Sequence, residues 1–224
     1  MAGLDGYDLK ARLSPGYLAV GPIALAVVVL AGEHLDLVKV AASLAVALGV
    51  PFIVASRVRD RGKDLEQDLW RSWGGAPATR MLRATASDPD AVDRRLRASR
   101  RARLDLPSAQ VQREDQEGAD LQIQKVVTEL IRQTKGDAVV QSELAEYGMR
   151  RNILGVHNLG LAVGCLTIGI GAGDLSWGLA TDDGSALAAV VIIVIASVAM
   201  LSWTRVTPAW VRVAAERYAE ALLR

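Results

Sequence analysis

The sequence predicts an all-α integral membrane protein with four transmembrane helices, arranged two plus two around a cytoplasmic helical insert. Of the 224 residues, 51% are hydrophobic and 23% are charged, and the mean hydropathy is +0.22. A soluble domain does not usually combine a positive mean hydropathy with an ordinary charge content. The two coexist here because apolar and charged residues occupy separate blocks. A single cysteine, Cys165, excludes a secreted disulfide scaffold.

Four windows are almost free of charge: residues 15–32, 37–56, 153–173 and 186–204. Each approaches the roughly 20 apolar residues that a helix needs to cross ~30 Å of hydrocarbon. The alternative is a set of core helices in a soluble protein, but a chain of 224 residues has too little remaining surface to cover them. Asp5 and Asp8 stand where a cleaved signal peptide carries basic residues, so we expect the first window to be retained.

The basic residues predict how the chain is threaded through the membrane. Of the 26 Lys and Arg residues, all except Lys39 fall on one predicted side. The two short loops on the other side are acidic and contain Glu33, Asp36, Asp174, Asp182 and Asp183. The positive-inside rule therefore predicts a multi-pass protein of the bacterial inner membrane with cytoplasmic termini.

The spans divide the chain into four predicted segments. These are an N-terminal segment with the first two spans (1–56), a cytoplasmic helical domain (57–152), the last two spans (153–204) and an amphipathic C-terminal helix (205–224). The C-terminal helix is expected either to lie on the inner leaflet or to pack on the cytoplasmic region.

Helix and turn signals subdivide the cytoplasmic region. Glycines and a proline predict a turn at 74–77, and helices are expected at 89–104, 119–135 and 138–149. Ser87 and Asp88 would cap the first of these helices. The second would carry Leu121, Thr128 or Val127, and Ile131 on one face.

The densest basic cluster lies in the helix expected at 89–104. Arg94, Arg97 and Arg101 share one face of that helix. Because guanidinium groups bind phosphates through two hydrogen bonds, this stripe is a candidate site for a nucleotide, an oligonucleotide or anionic lipid. The alternative is a solvated charged face, since arginine outnumbers lysine 21 to 5 along the chain.

A second candidate anion site surrounds the glycine pair at 74–75. Consecutive glycines allow positive φ angles and expose backbone amides. Three side chains would complete the site: Thr79, Arg80 and Arg83. Trp70 and Trp73 could stack a base. The alternative is a structural turn anchored by the two tryptophans, because the stretch matches no phosphate-loop pattern.

The third predicted span begins with polar and small residues. His157 and Asn158 are candidates for a polar site facing water or a neighbouring helix, or for a simple interhelical hydrogen bond. Gly160 and Gly164 form a GxxxG motif that favours close helix packing, within or between subunits; a glycine-lined pore is the sharper alternative. No nucleophile elbow, P-loop or metal-ligand spacing is found, so no enzyme activity, cofactor or metal is expected.

Two stretches, WRSWGGAPATRMLR (70–83) and EYGMRRNILGVHNLG (146–160), resemble a group of small bacterial membrane proteins with two spans on either side of a cytoplasmic insert. The layout also resembles membrane effectors of anti-phage systems that use nucleotide or oligonucleotide signals, such as the DNA-gated channel effector of the Hailong system. The resemblance implies an effector that depolarises or permeabilises the host membrane when a cytosolic signal changes.

Together these features suggest a homo-oligomeric channel gated by a nucleotide or short single-stranded nucleic acid. A nucleotidyltransferase encoded nearby is the expected further partner. The alternative is a non-conducting scaffold in the lipid bilayer whose insert binds a protein. A membrane enzyme is the weakest hypothesis, because only His157 and Asn158 would supply polar groups within the spans.

Overall fold

A computed structural model describes residues 14–32, 60–85, 89–181 and 186–224. These ranges are helical apart from turns and loops and contain no strand, which confirms the all-α fold class. The chain divides into two units. We call Met1–Asp64 with Gly148–Trp210 the apolar unit, and Leu65–Tyr147 with Val211–Arg224 the helical domain.

The helices of the described ranges are numbered in chain order. They are α1 (Ser14–Gly32), α2 (60–72), α3 (Pro77–Met81), α4 (Ala91–Ala102), α5 (Ala109–Glu114), α6 (Gln116–Gln133), α7 (Ala138–Gly155), α8 (His157–Thr181), α9 (Ala186–Trp203) and α10 (Pro208–Leu223).

In the apolar unit, α1, α8 and α9 pack against one another. Two of the described helices, α8 and α9, are long and apolar enough to cross a membrane. Only 22% of the most apolar window of each is buried inside the chain, whereas a core helix of a soluble protein would be mostly buried. The first predicted span coincides with the apolar helix α1, and the second, at 37–56, lies outside the described residues.

The third predicted span differs from the observed helix at both ends. It was expected at 153–173, but α7 ends at Gly155 and α8 continues to Thr181. A hydropathy window stops at the charge of Asp174, whereas the backbone hydrogen bonding of a helix does not depend on side-chain charge. Asp174 therefore lies inside α8 and not in an outer loop.

A single core holds the helical domain together. It is made by α3, α4, α6, α7 and α10, with many alanines beside a few large aliphatic residues: Ala78, Leu82, Ala98, Ala102, Ile123, Val126, Leu130, Val140, Ala219, Leu222 and Leu223. Small side chains let the helices approach closely, which explains how a segment poor in large apolar residues forms a core. The end of α10 thus packs within this domain.

Helix ends and faces in this domain partly differ from the sequence predictions. The helix α4 begins at Ala91 after Asp90, whose side chain makes no capping bond, and Ser87 and Asp88 lie outside the described residues. The short helices α3 and α5 were not predicted. Ser108 caps α5 by accepting a hydrogen bond from the Val111 amide, at 3.3 Å, a signal that the sequence did contain.

The buried face of α6 is the reverse of the apolar face found by sequence. Its buried residues are Ala119, Ile123, Val126 and Leu130. Leu121 and Ile131, by contrast, are 57% and 41% exposed. Both faces carry apolar residues at helical spacing, so periodicity alone does not show which face is buried. Contact with α4 and α5 decides which face is buried.

Candidate functional site

A groove of about 750 Å³ lies within the helical domain. One wall comes from the end of α2, the turn after it and α3, through Gln67, Trp70, Arg71, Gly74, Gly75, Ala76, Thr79 and Arg83. The other wall is the outer face of α6, through Gln116, Glu117, Asp120, Leu121, Gln124, Val127, Thr128 and Ile131. The stretch 70–83, selected from sequence as a candidate anion site, thus forms half of this groove.

The turn between α2 and α3 is held by its own backbone. The Gly75 amide donates to the Trp70 carbonyl at 2.7 Å, and the Gly74 amide donates to the Arg71 carbonyl at 3.1 Å. Gly74 and Gly75 have φ angles of +79° and +123°, in the region that L side chains avoid. The turn follows Trp73, which is buried, and leaves the half-buried Trp70 on the groove wall.

Arg83, which follows α3, connects the two walls of the groove by bonding both Gly74 in the turn and Asp120 on α6. Its Nε and Nη2 donate to the two carboxylate oxygens of Asp120 on α6, at 2.9 and 2.6 Å. Its Nη1 donates to the Gly74 carbonyl at 2.8 Å. The guanidinium is thereby neutralised by a bidentate ion pair. Sequence analysis missed Asp120, because nothing local in the sequence links it to a residue 37 positions earlier.

The other arginines proposed for phosphate binding contact different groups. Arg80 lies beside Gly75 and has Nη1 3.6 Å from Oε1 of Glu216. On α4, Arg94 donates to the Met81 carbonyl and Arg101 to the Leu222 carbonyl, each at 3.4 Å. Arg97 is exposed.

The five candidates therefore do not form one cluster. Arg80 and Arg83 flank Gly75, whereas the α4 arginines are not among the residues that line the groove. Arg95, which the sequence did not single out from its cluster, donates to the Leu82 carbonyl and, at 2.7 Å, to the Pro107 carbonyl. Burial lowers the pKa of its guanidinium. Its bonds tie α4 to the end of α3 and to the loop before α5.

The groove is chemically mixed and carries balanced formal charge, because Arg71 and Arg83 are offset by Glu117 and Asp120. Its neutral polar groups are the amides of Gln67, Gln116 and Gln124 and the hydroxyls of Thr79 and Thr128. The Nε1 atom of Trp70 is buried, and no acceptor among the described residues bonds to it. Such a surface suits a planar ligand with an apolar face and polar edges better than a bare polyanion.

In the apolar unit, the predicted polar and glycine positions lie along the contact between α8 and α9. His157 lies edge-on to the Trp203 ring, with centroids 6.2 Å apart, and its Nδ1 is 3.3 Å from Oδ1 of the exposed Asn158. A Cβ at Gly160 would lie 2.2 Å from the Trp203 ring, and one at Gly164 would lie 2.7 Å from Met200. These glycines thus permit packing within the subunit.

No protein-family model matches this sequence, and no curated protein or solved structure is significantly similar to it. Within the described ranges, no group of three or more His, Cys, Asp or Glu side chains could hold a metal ion. The functional assignment therefore depends on the groove and on the apolar helices.

Proposed function

We propose that this protein is a membrane effector of bacterial anti-phage defence: a homo-oligomeric channel or pore gated by a cytosolic nucleotide or short oligonucleotide. The observation that carries the proposal is the groove beside Trp70. It occurs in a chain whose α8 and α9 leave most of their apolar surface uncovered. A ligand site and a membrane anchor in one polypeptide are the minimum that a ligand-gated effector requires.

The proposed topology has four spans, formed by α1, residues 37–56, α8 and α9, with both termini in the cytoplasm. It is supported by the low burial of α8 and α9 and by the basic residues that flank them. Within the apolar unit, the Arg150 guanidinium lies 4.8 Å from the centroid of the Trp210 ring and donates to the Trp210 carbonyl at 3.1 Å. Paired basic and aromatic side chains are typical of the headgroup region.

The packing of α8 against α9 supports the proposed oligomerisation. The Trp203 ring and Met200 occupy the space beside Gly160 and Gly164, so the two helices are in close contact at these positions. The apolar surfaces of α8 and α9 remain available for other copies of the chain as well as for lipid. We therefore place the conduction path between subunits.

The proposed ligand mode is a nucleobase stacked on Trp70, with its polar edge bonded by the glutamine amides of the groove. Stacking on an aromatic side chain contributes about 1–3 kcal/mol per base. Arg71, at the groove wall, pairs with Asp68 through a 3.0 Å contact that is exposed to solvent. Since an exposed pair contributes little, Arg71 can exchange that partner for a phosphate. A nucleotidyltransferase encoded nearby would supply such a ligand.

The test is nucleotide and short-DNA binding by the purified full chain, with current recorded in planar bilayers. We expect Trp70→Ala to weaken binding roughly 5- to 150-fold, the equivalent of ~1–3 kcal/mol of stacking, and Trp70→Phe to weaken it less. Arg97→Ala is the matched control, because Arg97 is exposed and outside the groove. Loss of binding in Arg97→Ala alone would move the site to α4. Absence of both binding and ligand-dependent current in the wild type would refute the proposal.

One observation favours the scaffold as a second candidate. Leu121 and Ile131 on α6 are apolar residues that are 57% and 41% exposed, which suits contact with another protein. A scaffold would stay silent in bilayers and would lose a bound protein on substitution of Leu121 by aspartate. No enzymatic activity is proposed.

A further inference from the structure

A second cavity, of about 560 Å³, adjoins the groove along the outer face of α6. Three side chains line both cavities: Leu121, Gln124 and Thr128. Beyond this shared wall, the second cavity is lined by Leu104, Lys125 and Glu129. Because the two cavities are neighbours within one domain, a ligand in the groove that extends past the shared wall enters the second cavity.

Lys125 is the cation of the second cavity, and its side chain is exposed. Within the described ranges it makes no hydrogen bond and no ion pair. The two cations that line the groove both have carboxylate partners: Arg83 pairs with Asp120 at 2.6 Å, and Arg71 pairs with Asp68 at 3.0 Å. An anion can therefore bind Lys125 without displacing a carboxylate from it.

Glu129, which also lines the second cavity, does not neutralise Lys125. It follows Lys125 by four residues on α6, a spacing at which opposite charges in a helix often pair. Both carboxylate oxygens of Glu129 instead accept hydrogen bonds from Arg132, at 2.9 and 2.6 Å. Its Oε1 atom also accepts a hydrogen bond from Gln133 at 2.8 Å. Because Arg132 offsets the charge of Glu129, the charge of Lys125 stays available to a ligand.

The spacing along α6 suits a ligand that reaches from one cavity into the other. Lys125 follows Leu121, which lines both cavities, by four residues, or about 6 Å along the helix axis. The sugar of a nucleotide separates the base from the phosphate by a length of this order. The flexible four-carbon stem of a lysine extends the reach of its ammonium group further. A base in the groove can thus present a phosphate to Lys125.

We propose that the second cavity is the phosphate subsite of the groove, and that Lys125 binds a phosphate of a ligand whose base stacks on Trp70. This inference rests on the proposed nucleotide-binding function and adds a binding residue to it. An ammonium group is a compact point charge that forms strong, charge-assisted hydrogen bonds with phosphate oxygens. A terminal phosphate chain and a phosphodiester both present such oxygens, so nucleotides and oligonucleotides share this chemistry.

The experiment compares dissociation constants of the purified full-length protein for nucleosides, their 5′-triphosphates and dinucleotides of all four bases. We expect Lys125→Gln to weaken binding of the phosphate-bearing ligands at least about tenfold, the effect of losing one charge-assisted hydrogen bond. Binding of the nucleosides should not change, and Lys125→Arg should retain most of the affinity. Lys135→Gln is the matched control, because Lys135 is an exposed lysine of the same domain that lines neither cavity.

The ligand series also distinguishes the source of the phosphate. A loss with the triphosphates identifies a phosphate chain at Lys125, whereas a loss with the dinucleotides alone identifies a linking phosphodiester; both support the subsite. Unchanged dissociation constants of Lys125→Gln, with Trp70→Ala still weakening binding, would overturn the subsite and leave the proposed ligand site standing. An equal loss in Lys135→Gln would also overturn it, because the attraction would then be non-specific. A wild type that binds none of these ligands would refute the proposed function itself.

Discussion

The adjacent glycines of the groove turn provide a matched pair of variants. Gly74 has a φ of +79° and open space where a Cβ would be. Gly75 has a φ of +123°, and its Cβ would lie 2.7 Å from Nη2 of Arg83. Both changes to alanine add one methyl group to the same turn. They therefore compare a strained but accessible φ alone with a less accessible φ combined with displacement of Arg83.

The two variants should differ in the free energy of unfolding of the helical domain. Gly74→Ala costs about 1 kcal/mol, because a φ near the left-handed region is strained but accessible to alanine. Gly75→Ala costs about 2–3 kcal/mol for a φ outside that region. It also pushes Nη2 away from Asp120, a charged hydrogen bond that contributes about 1.5–3 kcal/mol. The arginine head cannot move freely, since it bonds both Asp120 and the Gly74 carbonyl.

The measurement is thermal unfolding of the full-length protein in detergent, followed by far-ultraviolet circular dichroism, for both variants. We expect the decrease in Tm of Gly75→Ala to be roughly four to six times that of Gly74→Ala. In an Arg83→Ala background, Gly75→Ala should cost less, with a coupling of about 1.5–3 kcal/mol. Equal Tm values for the two single variants, or strictly additive effects with Arg83→Ala, would refute the assigned role of Arg83.

Two further predictions concern α8 and α6. Gly160→Ala should destabilise the apolar unit by about 1–3 kcal/mol in detergent unfolding, because its Cβ meets a rigid indole ring. Gly169→Ala is the control and should be neutral, because a Cβ there has open space. Equal effects of the two substitutions would contradict the packing of α8 against Trp203. On α6, hydrogen bonds from Arg132 lower the pKa of Glu129 to about 2. Stability from this pair should be present above the unfolded pKa of about 4.3 and be lost as the pH falls toward 2. Arg132→Gln should raise the Glu129 pKa in an NMR titration, and an unchanged pKa would contradict the bond.

The fold class and most helices followed from local patterns. Gly74 and Gly75 marked the turn after α2, and three of the four charge-free windows overlap α1, α8 and α9. The predicted ends of the helices were less accurate, because a hydropathy window ends at a charged residue, whereas a helix ends where its backbone hydrogen bonding stops. Asp174 shows the difference: its charge ended the predicted span, yet α8 continues seven residues beyond it.

Only one of the two walls of the groove comes from a stretch that the sequence had singled out. Trp70 and the glycine pair, which the sequence singled out together as a candidate anion site or a structural turn, line the same groove, because they are neighbours in the chain. The opposite wall on α6 was not, since Leu121 and Ile131 were expected on an apolar face and nothing in their spacing shows that this face borders a groove.

Composition and charge along the chain were enough to separate apolar helices from a polar helical region, because hydropathy and net charge are sums over neighbouring residues. The roles of the arginines depended on tertiary contacts. Arg83 is neutralised by Asp120, 37 positions away, and Arg101 bonds the Leu222 carbonyl, 121 positions away. A guanidinium is free to bind a ligand only when no acceptor already occupies it, and the acceptors in this domain come from distant segments that meet only when the chain folds.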